Sequence, residues 1–274
     1  MSTSHLPWLA KYGKAFELGF QTALEYRANF VISLISAAYP IFIQTFLWTA
    51  IFSASQSQTV YGYSYRQMIV YTFLAGLVAR IVRTGFEYEI MDDVKSGKYS
   101  KFLVQPLGYF AYRLSSFYGG KLPNLAIILL ILACVLVGLV FMWGFPITFL
   151  QILAFLLSMV LAITLNFLLF YCLSAIAFWV IEIGFLFEGV RIVAILLSGG
   201  IFPLEVFGER FMQISNLMPF KYTINYPITL LNGKTDLSTF AAGALIQGLW
   251  IIAFYLLAGV LWRAGGRRYV AVGG

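Results

Sequence analysis

Charge is what this sequence has least of. Of its 274 residues, 11% are Asp, Glu, Lys or Arg, against about 25% in a soluble domain. Histidine occurs once, as His5, and cysteine twice, as Cys134 and Cys172, each inside an apolar run. Neither cysteine has metal-ligand or redox spacing, so zinc sites and histidine-based triads lack raw material. No GxSxG, HExxH or CxxC pattern is present. Asn232-Gly233-Lys234-Thr235 has the tail of a phosphate-binding loop, but the first glycine such a loop needs would be residue 228, which is Ile, so it reads as a turn. Dense Lys/Arg runs are missing too, which leaves nucleic acid without a landing surface despite a net charge of +7.

What is present is apolar. Hydrophobic residues make up 61% of the chain and aromatics 18%, with a mean hydropathy of +0.87. This excludes disorder and a water-soluble globular enzyme, and fits about five to seven membrane helices of roughly 20 residues. Ala28–Tyr65, Leu122–Ile181 and Leu237–Trp262 carry no charge at all. The second run would make roughly 90 Å of helix, enough for two spans, and Trp143-Gly144-Phe145-Pro146 is its turn. Spans are expected at 30–53, 122–143, 148–178 and 236–262, uncharged but for Asp236 at the edge of the last. Two more, at 67–85 and 184–203, carry Arg80 and Arg83, and Glu188 and Arg191. No cleavable secretory signal is expected, because the first apolar run is too long for one.

Orientation follows from the basic residues. With the N-terminus inside, only Arg66, Arg210, Lys221 and Lys234 of the 18 Lys and Arg fall outside. Both termini are then cytoplasmic. Residues 6–28 place Leu6, Leu9, Tyr12, Phe16 and Phe20 on one face, the pattern of a helix lying along the inner interface; an extension of the first span is the other reading.

The inner segment 86–121 places Glu87, Glu89, Asp92 and Asp93 ahead of Lys95, Lys98 and Lys101. Acids before bases suit a helix dipole, so a short helix over 86–96 is expected to stop near Gly97, with a second interfacial helix around Tyr109–Phe117. A docking surface for another protein is one reading, a solvated linker the other. The outer segment Ser198–Lys234 is apolar and broken by Gly199-Gly200, Pro203, Pro219 and Pro227. This predicts short helices re-entering the outer leaflet, where non-helical backbone must be covered by protein. Arg80 or Arg83 is expected to pair with Glu182 or Glu188 at the inner ends of the second and fifth spans, with Arg191 beside them; snorkelling to the headgroups is the alternative. No carboxylate falls at mid-membrane, which weakens an ion-coupled carrier. A lipid-modifying enzyme would need acids or histidines clustered at one surface, and a channel a polar ring.

The order of these parts resembles the transmembrane subunit of type-two ATP-binding cassette exporters, and within them the bacterial multidrug and natural-product export permeases. Two stretches carry the resemblance: Ile90…Gly97…Pro106 (IMDDVKSGKYSKFLVQP), and Ser198-Gly199-Gly200-Ile201-Phe202-Pro203-Leu204 with Leu217-Met218-Pro219-Phe220. The resemblance implies an all-α integral membrane protein of six spans, with an interfacial helix, a cytoplasmic coupling helix and an outer re-entrant hairpin at 203–232. It implies a bacterial plasma (inner) membrane location, a second permease chain as homo- or heterodimer partner, and separate cytoplasmic ATPase subunits that hold ATP and Mg; this chain itself would need no cofactor or metal. Coupling would fall to Glu89, Asp92, Asp93, Lys95, Gly97, Lys98 and Lys101. The second and fifth spans would line the route, through Tyr71, Phe73, Leu77, Phe185, Phe187, Ile195 and Leu196, and Gly199, Gly200, Phe202, Pro203, Pro219 and Phe220 would form an outer gate. The cargo would be a hydrophobic or amphiphilic small molecule, cations included, or, in the runner-up reading, a lipid or polysaccharide.

Overall fold

Long uncharged runs become long helices. The structure, a computed structural model, describes residues 8–25, 27–55, 57–144, 147–180 and 182–269. His5, Phe145 and Pro146 lie outside the described residues. Helix α1 spans Trp8–Glu25, α2 Arg27–Ala54, α3 Tyr65–Val82, α4 Phe86–Lys95, α5 Ser100–Val104, α6 Tyr109–Trp143, α7 Phe149–Ser174, α8 Gly184–Leu197, α9 Glu209–Leu217, α10 Asn225–Leu231 and α11 Phe240–Gly266. The only sheet among the described residues is a small antiparallel hairpin, β1 Thr59–Val60 with β2 Tyr63–Ser64. The sequence explains where α3 and α7 begin. Ser64 with Gln67, and Thr148 with Gln151, form reciprocal capping boxes that satisfy the first free backbone N–H groups.

Four helical stretches are long and apolar enough to cross a membrane: Tyr65–Lys95, Tyr109–Gly138, Phe149–Phe178 and Leu237–Gly266, with Ala38–Ala54 a shorter apolar helix. At the fifth expected span, 184–203, the helix is shorter than the expected bounds. Helix α8 has 14 residues, about 21 Å, short of a hydrocarbon core of about 30 Å. It stops well before residue 203 because Gly199 takes a left-handed φ of 78°, a conformation that costs glycine little. The chain then doubles back, and the Asn225 backbone N–H donates to the Ser198 carbonyl at 2.9 Å.

Segment 86–121 is corrected as well. Its second half is not a separate interfacial helix but the start of α6, which runs unbroken past Pro123 to Trp143. Thirty-five residues make about 52 Å of helix, so α6 exceeds the membrane at one end or tilts within it. Helix α1 packs along this early part of α6. A methyl group at Gly119 would collide with the Phe16 carbonyl, and one at Gly19 with the Ser116 carbonyl. The two backbones therefore approach as closely as glycine allows.

Helices α3 and α7 form the interior. The most apolar window of each is 61% buried, against 11% for α6 and α11, which therefore present most of their surface outward. On α3, Met68, Tyr71, Leu74, Ala75 and Val78 are buried at helical spacing, against Phe155, Met159, Ala162 and Ile163 of α7. Polar groups join the helices where they are buried. Gln247 of α11 donates to the Ser158 carbonyl of α7 at 3.1 Å and the Tyr222 carbonyl at 2.9 Å. Asn166 of α7 donates to the Val82 carbonyl at 2.8 Å, satisfying a free end of α3. Every residue of α10 is buried, packed on α7 and α3, so this part of the 198–234 segment is covered by protein, while Phe207, Ile214 and Leu217 are exposed.

Candidate functional site

Helix α4 begins with Glu87 and Glu89 and ends with Lys95, the charge order that stabilises a helix dipole, and Gly97 reverses the chain with a φ of 79°. Neighbouring residues on a helix face different ways, and Asp92 and Asp93 do. Asp92 points out and takes a 2.8 Å hydrogen bond from Lys98, whose amine it holds above the ordinary lysine range. Asp93 points in. It pairs with Arg113 of α6 and accepts from the Tyr109 hydroxyl at 2.8 Å. The same guanidinium pairs with Glu89 and donates through Nε to Tyr109 at 3.0 Å. Glu89 and Asp93 are four apart and so share a face; that spacing was the available sign of a common cation, yet sequence reasoning left Arg113 out.

A second ionic group joins α4 to α8. Arg191 pairs with Glu87, whose side chain is fully buried, and at 2.8 Å with Glu188. The Tyr88 hydroxyl donates to Glu188, and the Tyr88 ring meets Phe187 edge-on at 5.4 Å. Val94, Ala177 and Ile183 complete an apolar patch around Phe187. Lys95, at the end of α4, pairs with Glu182 just before α8. Of the acids expected to pair with Arg80 or Arg83, Glu182 is engaged by Lys95 and Glu188 by Arg191, and the start of α8 is tied to α4. Glu87, the buried centre of the joint, was also missed. It looked like one more acid of a solvated loop, because burial is invisible in a charge pattern.

Asp92, Lys95, Lys98 and Lys101 form the outward side of α4 and α5, followed by exposed Leu103 and Val104. The pathway candidates divide. Tyr71 and Phe187 are buried inside the chain, and Phe73, Leu77 and Ile195 pack against the main core. Phe185 is 93% exposed and Leu196 is exposed on the same side of α8 as Ile192.

At the other end of the bundle, Tyr71 donates to the Gly199 carbonyl at 2.7 Å and receives the Asn225 amide at 3.2 Å. Phe202 meets Trp48 edge-on at 6.2 Å. Pro203 and Pro219 are buried, and Gly200 and Phe220 lie in the same folded-back segment. Tyr63 of the β-hairpin donates to Glu205 at 3.0 Å. Lys234 stands 3.5 Å over the Tyr63 ring and donates to the Gly62 carbonyl at 2.8 Å. Burial pushes the Lys234 amine down, opposed by Glu205. These contacts fasten the 59–64 hairpin and the 199–207 turn together. Tyr71→Phe removes the donor and leaves a buried carbonyl short of a partner, a cost of about 1–3 kcal/mol. Its thermal unfolding midpoint should fall, and an unchanged midpoint would show the hydroxyl to be idle.

A family model described as "ABC-2 family transporter protein" matches residues 38–273. The chain belongs to the ABC-2 transporter family. No curated protein and no solved structure matches it. Membership makes this ABC-2 chain the membrane component of a transporter and implies an ATPase partner.

Proposed function

We propose that this chain is the permease half of an exporter in which α4 receives the motion of a cytoplasmic ATPase and passes it to α8. The observation that carries this reading is the Arg191 bridge from α8 to buried Glu87 of α4, beside an outward α4–α5 face that keeps Asp92, Lys98 and Lys101 accessible. ATP binding draws the ATPase subunits together, and each pulls on the α4 seated against it. The ionic joint and the Tyr88–Phe187 contact make α4 and the inner end of α8 move as one piece. Two permease chains then open outward a cavity between them. The exposed apolar sides of α2 (Ile35, Tyr39, Phe42, Phe46) and α8 (Phe185, Ile192, Leu196) serve as the surfaces that meet the second chain and the cargo. The reading includes six membrane crossings, with α8 as the short one, cytoplasmic termini and a bacterial inner-membrane location. The cargo class is a hydrophobic or amphiphilic small molecule; export of a lipid or polysaccharide uses the same machinery.

Asp92→Arg combined with Lys101→Glu tests the reading at exposed positions. Co-purification of the ATPase subunit should fall at least tenfold, with the thermal midpoint unchanged because exposed pairs contribute little. Full transport by the chain with no ATPase bound would sink the proposal.

A further inference from the structure

At the end of the bundle where α6 starts and α7 and α11 stop, a cleft of about 350 Å³ opens between Phe110, Tyr171 and the last turns of α11. That volume suits a small-ligand pocket, about 300–1,000 Å³. Its walls hold one another in place. Trp262 stacks on Tyr171 with ring centroids 4.6 Å apart and donates through Nε1 to the Tyr171 carbonyl at 3.2 Å. Phe110 meets Tyr171 and Tyr255 edge-on at 5.2 and 5.5 Å. Gly259 leaves the floor open, since a Cβ there would meet nothing within 4 Å. Tyr255 and Leu256 are more than half exposed, so the cleft faces the bilayer and not the inside of the bundle. It is also ordered along the α11 axis. Tyr255, Gly259 and Arg263 follow at steps of four residues, which puts them on one helix face. Arg263 is the first charge after the uncharged run Leu237–Trp262. That run makes about 39 Å of helix, enough to cross a hydrocarbon core of about 30 Å. Arg263 therefore stands at headgroup level, and Tyr255 lies about 12 Å deeper along the helix. No Asp or Glu lines the cleft. Arg263 is exposed and makes no salt bridge among the described residues.

We propose that this cleft holds an anionic phospholipid, its phosphate on the Arg263 guanidinium and one acyl chain along Gly259 and Tyr255. A guanidinium offers phosphate two parallel N–H donors, and basic recesses between membrane helices on the cytoplasmic side take anionic headgroups. A neutral lipid would fill the aromatic wall equally well but leave the one charge of the cleft unmatched. The bound lipid joins the start of α6 to the ends of α7 and α11. In the proposed orientation it belongs to the inner leaflet, and its binding does not depend on the ATPase reading.

The test is native mass spectrometry of the full chain in detergent with added phosphatidylglycerol, phosphatidylcholine or inorganic phosphate. The wild type should retain phosphatidylglycerol at least tenfold better than phosphatidylcholine, and millimolar phosphate should not displace it. Arg263→Gln should cut retention about fivefold, and Arg263→Lys should keep most of it. Gly259→Leu fills the floor without touching the charge and should cut retention about as much. Arg210→Gln, at an exposed site on α9, should change nothing. Positions 259 and 263 are both exposed, so the variants are expected to fold; a thermal melt verifies this, and each variant decides by itself. Equal retention of both lipids, or retention indifferent to Arg263→Gln, overturns the anionic headgroup. Retention indifferent to Gly259→Leu places the lipid outside the cleft and overturns the site. Displacement by inorganic phosphate assigns Arg263 to the free anion and overturns the lipid.

Discussion

Arg191→Met is expected to abolish substrate-stimulated ATP turnover while the ATPase subunit stays bound. The guanidinium is the partner of Glu87, whose side chain is fully buried, and its own side chain is 17% exposed. Taking away one member of a buried ion pair costs about 3–5 kcal/mol, because the other is left uncompensated. The thermal midpoint should therefore fall as well. Loss of stability and loss of coupling separate in the double variant Glu87→Gln/Arg191→Met. Removing both charges leaves nothing stranded and should recover much of the stability. If the ionic joint transmits motion, ATP turnover remains uncoupled in that stable protein. Recovery of transport together with stability would mean that the bridge only holds the fold, and α4 would need another route to α8. The outward face of α4 is untouched by either substitution, so bound ATPase serves as the internal control.

Two adjacent glycines should behave oppositely. Gly119→Ala is expected to detach α1 from α6, whereas Gly120→Ala should be silent. A Cβ at Gly119 runs into the Phe16 carbonyl, a backbone atom that cannot step aside; a Cβ at Gly120 stands 3.5 Å from the nearest atom, the Gly19 carbonyl oxygen, an ordinary contact. Helix propensity would favour alanine at both sites by about 1 kcal/mol, so any loss at position 119 arises from packing alone. Hydrogen–deuterium exchange reads the difference: the α1 amides should lose protection in Gly119→Ala, with α7 and α11 unchanged. Equal behaviour of the two variants would show that α1 does not pack here.

Much of the architecture was legible because a bilayer imposes simple rules on sequence. Uncharged stretches had to become helices, since backbone groups in hydrocarbon must bond within their own segment, and α2, α6, α7 and α11 lie where those stretches lie. Acids before bases, then Gly97, marked α4 correctly, whereas α8 ends at Leu197 rather than at the expected 203. Illegible were the contacts between elements. Arg113 looked like one positive-inside charge among many until α6 began thirteen residues earlier than its apolar run and carried it beneath α4. Tyr71 and Phe187 sit on the two spans singled out by charge, but an aromatic on an apolar helix gives no sign of which way it faces. Both turned inward, one to hold the outer turn and one to seat α4.

By itself the sequence determined a membrane protein of long apolar helices, because hydropathy is a property of composition. It also determined that the remaining charge gathers in one loop and two spans. Only the tertiary structure decided the partners of those charges. Arg191 reaches Glu87 across 104 positions of chain, and Arg113 reaches Asp93 across 20. Pairings of that range depend on how helices pack, and local periodicity carries no record of it.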